Sequence, residues 1–428
     1  MAAVVLAAGT VSGPVAVAAG GTTCTVNGTS FTTTASSPTI TAPDNRDNAI
    51  ACPNGITAGD TVTGGTGGKN TFTLGGRLEG TLISRGTEDT VDISPTEGPG
   101  IAGGGRLNLN GDMATVTVTA PTSAIGGNGA PGNAGTITGG AGRADITVTG
   151  GRGLGINVVG GVRGGAGNSG TITAGASGTV SVSGGPFVQE DITASGYGGV
   201  GNSGTVDGGS GSTDVRITGG PNHLEGNNRT AIGGRGNTGT IRGSRAGKIT
   251  VTGGSASSSR NGTGGPGNSG GITGGQAGGE ISVTGGSGTG DGQGKGGTGN
   301  LGTIQATSTS PARITVTGGD GNTSGGIGAS GSSSRILGGP AGDTITVTGG
   351  SVTDPGRIGA NGTGALSSIT GGNGDDTIIL SAGTPQDSGL LGNTGNRGFV
   401  DGGAGTNTCT ITPPSTLTPV LVSNCTVT

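Results

Sequence analysis

The chain has 428 residues, 109 of them glycine and only 28% hydrophobic, with no Trp, one Tyr and four Phe; that inventory excludes a thick globular core. Twenty basic and 24 acidic residues give a net charge of −4, without a basic block to neutralise a run of phosphates, which excludes nucleic acid as a partner. With about 1% aromatics there are also few platforms on which bases or sugar rings could stack, which argues against polysaccharide recognition.

Residues 1–19 form a small apolar run ending in Ala16-Val17-Ala18, the small-x-small form of a signal-peptidase site, and predict a signal peptide. No other segment approaches membrane-spanning length, so no transmembrane segment is expected. Cys24 and Cys52 precede the repeats and Cys409 and Cys425 follow them. Two local pairs predict two disulfide staples and an oxidising, extracellular or cell-surface location. Residues 20–60 and 405–428 are then candidate caps over the open ends of residues 61–404, which are repetitive.

In the repeats, Gly-Asn-x-Gly, Thr-Ile and Ile-Thr-Val-Thr-Gly-Gly recur in that order, placing one apolar position at Ile137, Ile172, Val206, Ile241, Ile272, Ile304, Ile336, Ile369 and Val400. Successive spacings are 35, 34, 35, 31, 32, 32, 33 and 31 residues, an array in which each unit covers its neighbour. Leu82 and Leu109 read as two earlier, shorter copies, making eleven. The stretch Ile146-Thr147-Val148-Thr149 and its copies alternate with period two, so Ile and Val face one side and Thr the other.

The Gly-Gly that follows reads as a corner needing φ > 0. The recurring Asn, from Asn133 to Asn300 and again at Asn393, reads as a residue tolerant of left-handed geometry whose amides would stack into a ladder. A third apolar patch, at Ile156/Val158, Ile192, Ile232, Ile358 and Leu390/Leu391, suggests three strands per coil. The expected fold is all-β: a single elongated parallel β-solenoid of about eleven coils, mostly of 31–35 residues, triangular in section, with disulfide-stapled caps.

Gly371-Gly372-Asn373-Gly374-Asp375-Asp376-Thr377-Ile378-Ile379 resembles the nonapeptide of bacterial RTX proteins, a resemblance that implies calcium. The looser copies at Gly338 to Thr346 and Gly402 to Asn407 align Asp343, Asp376 and Asn407 on consecutive coils as candidate metal ligands. More broadly, the Gly-rich repeats resemble those of secreted bacterial β-solenoid proteins. The outward rows Thr117/Thr119, Thr147/Thr149, Thr250/Thr252, Thr315/Thr317 and Thr346/Thr348 resemble the Thr-x-Thr faces of β-solenoid antifreeze proteins. The function expected is a non-catalytic structural or adhesive scaffold with no cofactor, possible self-association end to end or through surface contacts, and ice binding or RTX-like calcium binding as alternatives.

Overall fold

The computed structural model describes residues 21–124, 126–155, 161–189, 196–224, 230–258, 261–290, 294–321, 327–352, 360, 363–364, 367–384, 395–412 and 421–428. The signal-peptide segment, Asn393, and the apolar positions Ile156/Val158, Ile192, Ile358 and Leu390/Leu391 lie outside the described residues.

The period-two stretches become strands stacked in parallel, coil on coil, in two long sheets. The first holds the Ile-Thr-Val-Thr strands and has 16 members, two of which form a hairpin, Thr23–Val26 with Thr29–Thr32, that pairs antiparallel to Asn48–Cys52. The second has 14 strands and carries the repeat's apolar position. That position runs in register from Ile40 through Val62, Leu82, Leu107, Ile137 and Ile172 to Val400 and Val422. The fold class is as expected, but the coil count is corrected from eleven to fourteen rungs. Eight full-length turns lie between Ile137 and Val400, and shorter turns of 20–30 residues, beginning at Ile40 and ending at Val422, flank them. Of these shorter turns only that from Leu107 to Ile137 carries the Gly-Asn motif that marked the count. Leu107, not Leu109, occupies the repeat position, because Leu109 pairs with Gly139.

The core between the two sheets is a stack of Ile, Val and Leu, such as Val116, Val118, Ile146, Val148, Ile314 and Val316, each at most 1% exposed. Complete burial of such a side chain is worth about 1.5–3 kcal/mol, and stacking repeats it on every rung. The third side of the coil is a column of single-residue bridges from Ile56, Leu78 and Ile101 through Asn133 and Asn168 to Asn300, Ser332 and Thr363. Its asparagines are fully buried. Each donates Nδ2–H to Oδ1 of the next coil, at 2.7–2.9 Å from Asn133 to Asn300. The ladder is therefore as anticipated, but these asparagines do not adopt positive φ, which among non-glycine residues occurs only at Asn27, Asn45 and Asn424 among the described residues.

Two further sheets form a side lobe; of the third-strand positions Ile232 lies in it, on Thr230–Ile232, but the lobe itself is absent from the sequence reading. One has five strands, from Gly153–Gly155 to Gly288–Gly290, and the other four, from Val162–Arg163 to Asn261–Thr263. They enclose a small core of Val162, Phe187, Leu224, Ala231 and Ala256. The Gly-Gly pairs form the neck joining lobe to body. Their φ is not positive, which corrects the corner reading. Instead, outgoing and returning segments of each coil interleave in one stack, with Gly165 N–H bonded to Gly151 O, Gly185 to Gly165, Gly199 to Gly185 and Gly220 to Gly199, all at 2.7–2.8 Å. A Cβ at Gly185 would stand 2.0 Å from Gly151 O. Glycine is required here because two backbones touch.

Candidate functional surface

The outward Thr positions fall in two columns whose register is uninterrupted. One runs Thr73, Asp92, Thr117, Thr147, Ser181, Arg216, Thr250, Ser282, Thr315, Thr346, Ile379 and Thr410. The other runs Thr119, Thr149, Ser183, Thr218, Thr252, Thr284, Thr317, Thr348, Ser381 and Thr412 without a non-hydroxyl residue. Thr117, Thr119, Thr147 and Thr250 are exposed, while Thr149, Thr252, Thr315, Thr317, Thr346 and Thr348 are half-buried by their neighbours in the stack. The lattice repeats at about 4.7–4.9 Å between rungs and about 6.6–6.8 Å along a strand. The adjacent column, two residues earlier, holds Thr115, Thr344 and Thr377 but also Asp145, Asp214, Lys248, Glu280 and Arg313. Charges there pair locally, Arg143 with Asp145 at 2.9 Å and Lys248 with Glu280 at 2.9 Å. Asp92 lies outward on the same strand whose Asp89 is buried.

Asp343, Asp376 and Asn407 do occupy consecutive coils, at an interior corner, each at most 3% exposed. Their oxygens are used on backbone. Asp343 accepts from the N–H groups of Ala312, 2.7 Å, and Gly339, 2.5 Å. Asp376 Oδ1 accepts from Asp343 N–H, 2.6 Å, and Asn407 Oδ1 from Asp376 N–H, 2.8 Å. Only Asp376 Oδ2 lacks a partner among the described residues. Calcium takes six to eight oxygens, and no group of three or more His, Cys, Asp and Glu side chains among the described residues is placed to hold a metal ion; the donor set does not fit calcium. The same kind of corner recurs near the other end, where Asn48 donates to Asn70, 3.0 Å, and Asn70 to Asp89, 2.9 Å. Asp89 Oδ2 accepts from Ser84 and from Gly86 N–H. Acidic and amide side chains thus tie successive coils together at both ends of the stack.

Two carboxyl groups, Asp376 and Asp60, carry a pH dependence. Burial, followed by the charges of Asp343 and Asp375, raises Asp376 to about 6, against the single lowering effect of its bond from Asp343 N–H. The raised folded value means that the protonated form stabilises the fold: the contribution is complete below the usual 3.8 and is lost as pH rises through about 6. Asp60 has the opposite sign. Its partial burial is outweighed by hydrogen bonds from Thr22, Thr33 and Thr57, which hold it at about 2, so its contribution is present above 3.8 and fades only as pH falls through about 2. The urea midpoint is therefore expected to rise from pH 7 to pH 5. Asp376→Asn is expected to add about 1–2 kcal/mol at pH 7 and flatten that rise; an unchanged slope would refute the assignment.

Both predicted disulfides are formed within the chain, Cys24 with Cys52 and Cys409 with Cys425. The first ties the antiparallel hairpin to the first rung of the long sheet. The second lies among rungs that continue the parallel stack, since Thr408–Thr412 pairs with Thr426–Val427. No helix of the described residues is long and apolar enough to cross a membrane. Neither a protein-family model nor a curated protein sequence matches the chain. The class defined by fold and surface is a disulfide-bonded parallel β-solenoid with a side lobe and a hydroxyl-lined face.

Proposed function

We propose that the chain is an extracellular, non-catalytic scaffold: a rigid spacer, stalk or matrix element whose task is to span distance. The observation that carries this reading is the unbroken register of fourteen rungs, which at about 4.8 Å per rung gives a body roughly 60 Å long. Buried polar groups such as Asn168, Asn202 and Asp376 support the same reading, because they bond coil to coil. The two disulfides accord with an oxidising compartment.

A second reading, ice binding, is favoured by one observation, the unbroken hydroxyl column from Thr119 to Thr412. Arg216 and Ile379 break the column beside it, and a flat lattice tolerates such interruptions poorly. Small-angle scattering and thermal hysteresis on one preparation separate the readings. The scaffold predicts a rod of about the stated length, lengthening by whole multiples if copies join end to end, and ice crystals of ordinary shape. A compact particle would sink it; faceted ice growth lost on Thr315→Tyr would establish its rival.

A further inference from the structure

Between the side lobe and the Asn column runs a groove of about 840 Å³, whose lining includes Arg163, Tyr197, Ile232, Thr263 and Arg235. Gly164, Gly198, Gly233 and Gly264 also line it. Arg163, Tyr197, Ile232 and Thr263 follow one another rung by rung, and Lys295 continues the row. The groove therefore runs along the solenoid axis, as a site for a linear polymer must.

The charge in it is one-sided. Arg163 and Arg235 are its charged lining residues, and no Asp or Glu lines it among the described residues. Arg163, Arg235 and Lys295 are exposed, and the ion pairs formed among the described residues do not include them. In a chain of net charge −4, this is a local basic track. The three cations, of which Lys295 lies beyond the lining residues, sit on alternate rungs, about 10 Å apart along the axis. The protein's single Tyr fixes the first of them: Tyr197 lies across Gly161, whose Cβ would be 2.6 Å from its ring, and holds the Arg163 guanidinium 4.9 Å from the ring centroid.

We infer that this groove binds an extended acidic polysaccharide carrying one carboxylate per disaccharide, held by charge and not by the ring stacking whose scarcity argues against polysaccharide recognition in the sequence. The planar guanidinium matches a carboxylate in two parallel hydrogen bonds. The wide cation spacing suits a sparsely charged chain, and it is too sparse for nucleic acid, with a phosphate about every 3.4 Å along each strand. Ile232 and the lining glycines offer an uncharged bed for the sugar between charges. This goes beyond the scaffold reading, since rod shape and glycan binding can each fail alone.

The test is fluorescence polarisation of labelled hyaluronan oligosaccharides with the full chain, against heparin fragments, dextran and oligo(dT). Saturable binding to hyaluronan is expected, weakening with salt, with dextran unbound. The double variant Arg163→Gln/Arg235→Gln should bind at least tenfold more weakly at unchanged circular dichroism and melting temperature. Tyr197→Leu, which removes the ring that positions Arg163, should lose about threefold and recover with Tyr197→Phe. Absent hyaluronan binding, equal binding by the double variant or to dextran, or tighter binding to heparin or oligo(dT), would overturn the assignment.

Discussion

Gly234→Val is expected to open the neck of the solenoid and expose it to trypsin at Arg235, whereas Gly271→Ala leaves the fold intact. The two glycines are alike in sequence terms, both within repeats and neither at positive φ. What differs is the space around them. A Cβ at Gly234 would lie 1.9 Å from Gly199 O and 2.8 Å from Gly220 N, atoms of the backbone that cannot rotate away. Gly234 is also a link in the neck: its N–H bonds to Gly220 O at 2.8 Å and its carbonyl accepts from Gly254 N–H at 2.7 Å. Admitting a side chain must part the stacked backbones and break these bonds, a cost of about 4 kcal/mol or more. Because a solenoid unfolds by neighbouring units, the loss should concentrate in the coils around residue 234. At Gly271 a Cβ would meet nothing within 4 Å, and Ala there should stabilise by about 0.4–1 kcal/mol through the unfolded chain. Denaturant melts give the magnitudes, and the trypsin fragment after Arg235 gives the place. Equal behaviour of the two variants would show that the glycines serve flexibility and not close approach.

The same contrast explains what could be read from the sequence. Strand positions such as Ile146-Thr147-Val148-Thr149 were legible because alternation records which side faces the core, and the register of the outward Thr rows followed from the period. The disulfide partners were legible because each pair is local. Gly-Gly was legible as a special position but not for the correct reason, since a missing Cβ serves positive φ and backbone contact equally well and the letters do not say which. The short coils at Ile40 and Val62 were missed because they carry neither Gly-Asn nor Ile-Thr-Val-Thr, only Thr-Ile-Thr and Thr-Val-Thr. The groove was invisible because Arg163 and Lys295 share a column four coils apart whose intervening members are uncharged, and Arg235 comes from a different point of the repeat; only the stacking of coils aligns them. One signal did exist: Tyr197, the sole Tyr, stands one rung from Arg163.

Asn202→Leu should cost about twice as much stability as Asn133→Leu, although both replace a fully buried asparagine of the same column. The reason is position in the ladder. Asn202 accepts from Asn168 Nδ2 at 2.8 Å and donates to Asn237 Oδ1 at 2.8 Å, so its loss breaks two links and deprives two buried neighbours. Asn133 stands at the ladder's start, next to Ile101, and makes one link, to Asn168 at 2.7 Å. Each buried polar group stripped of a partner costs about 1–3 kcal/mol, partly offset here because Asn168 Nδ2 keeps the Gly170 carbonyl at 3.2 Å and Asn237 Oδ1 keeps Gly239 N–H at 3.2 Å. The expected losses are about 3 kcal/mol for Asn202→Leu and about 1.5 kcal/mol for Asn133→Leu. Leucine itself fits the column, since Leu78 and Ile101 fill it completely buried in the preceding coils, so the variants test the amide and not the space. Asn133→Leu simply moves the boundary between apolar and amide segments by one coil. Urea melts of the two variants decide it: equal losses would mean that each asparagine acts within its own coil, through bonds such as that from Gly135 N–H to Asn133 Oδ1 at 3.1 Å, and that the ladder adds nothing between coils.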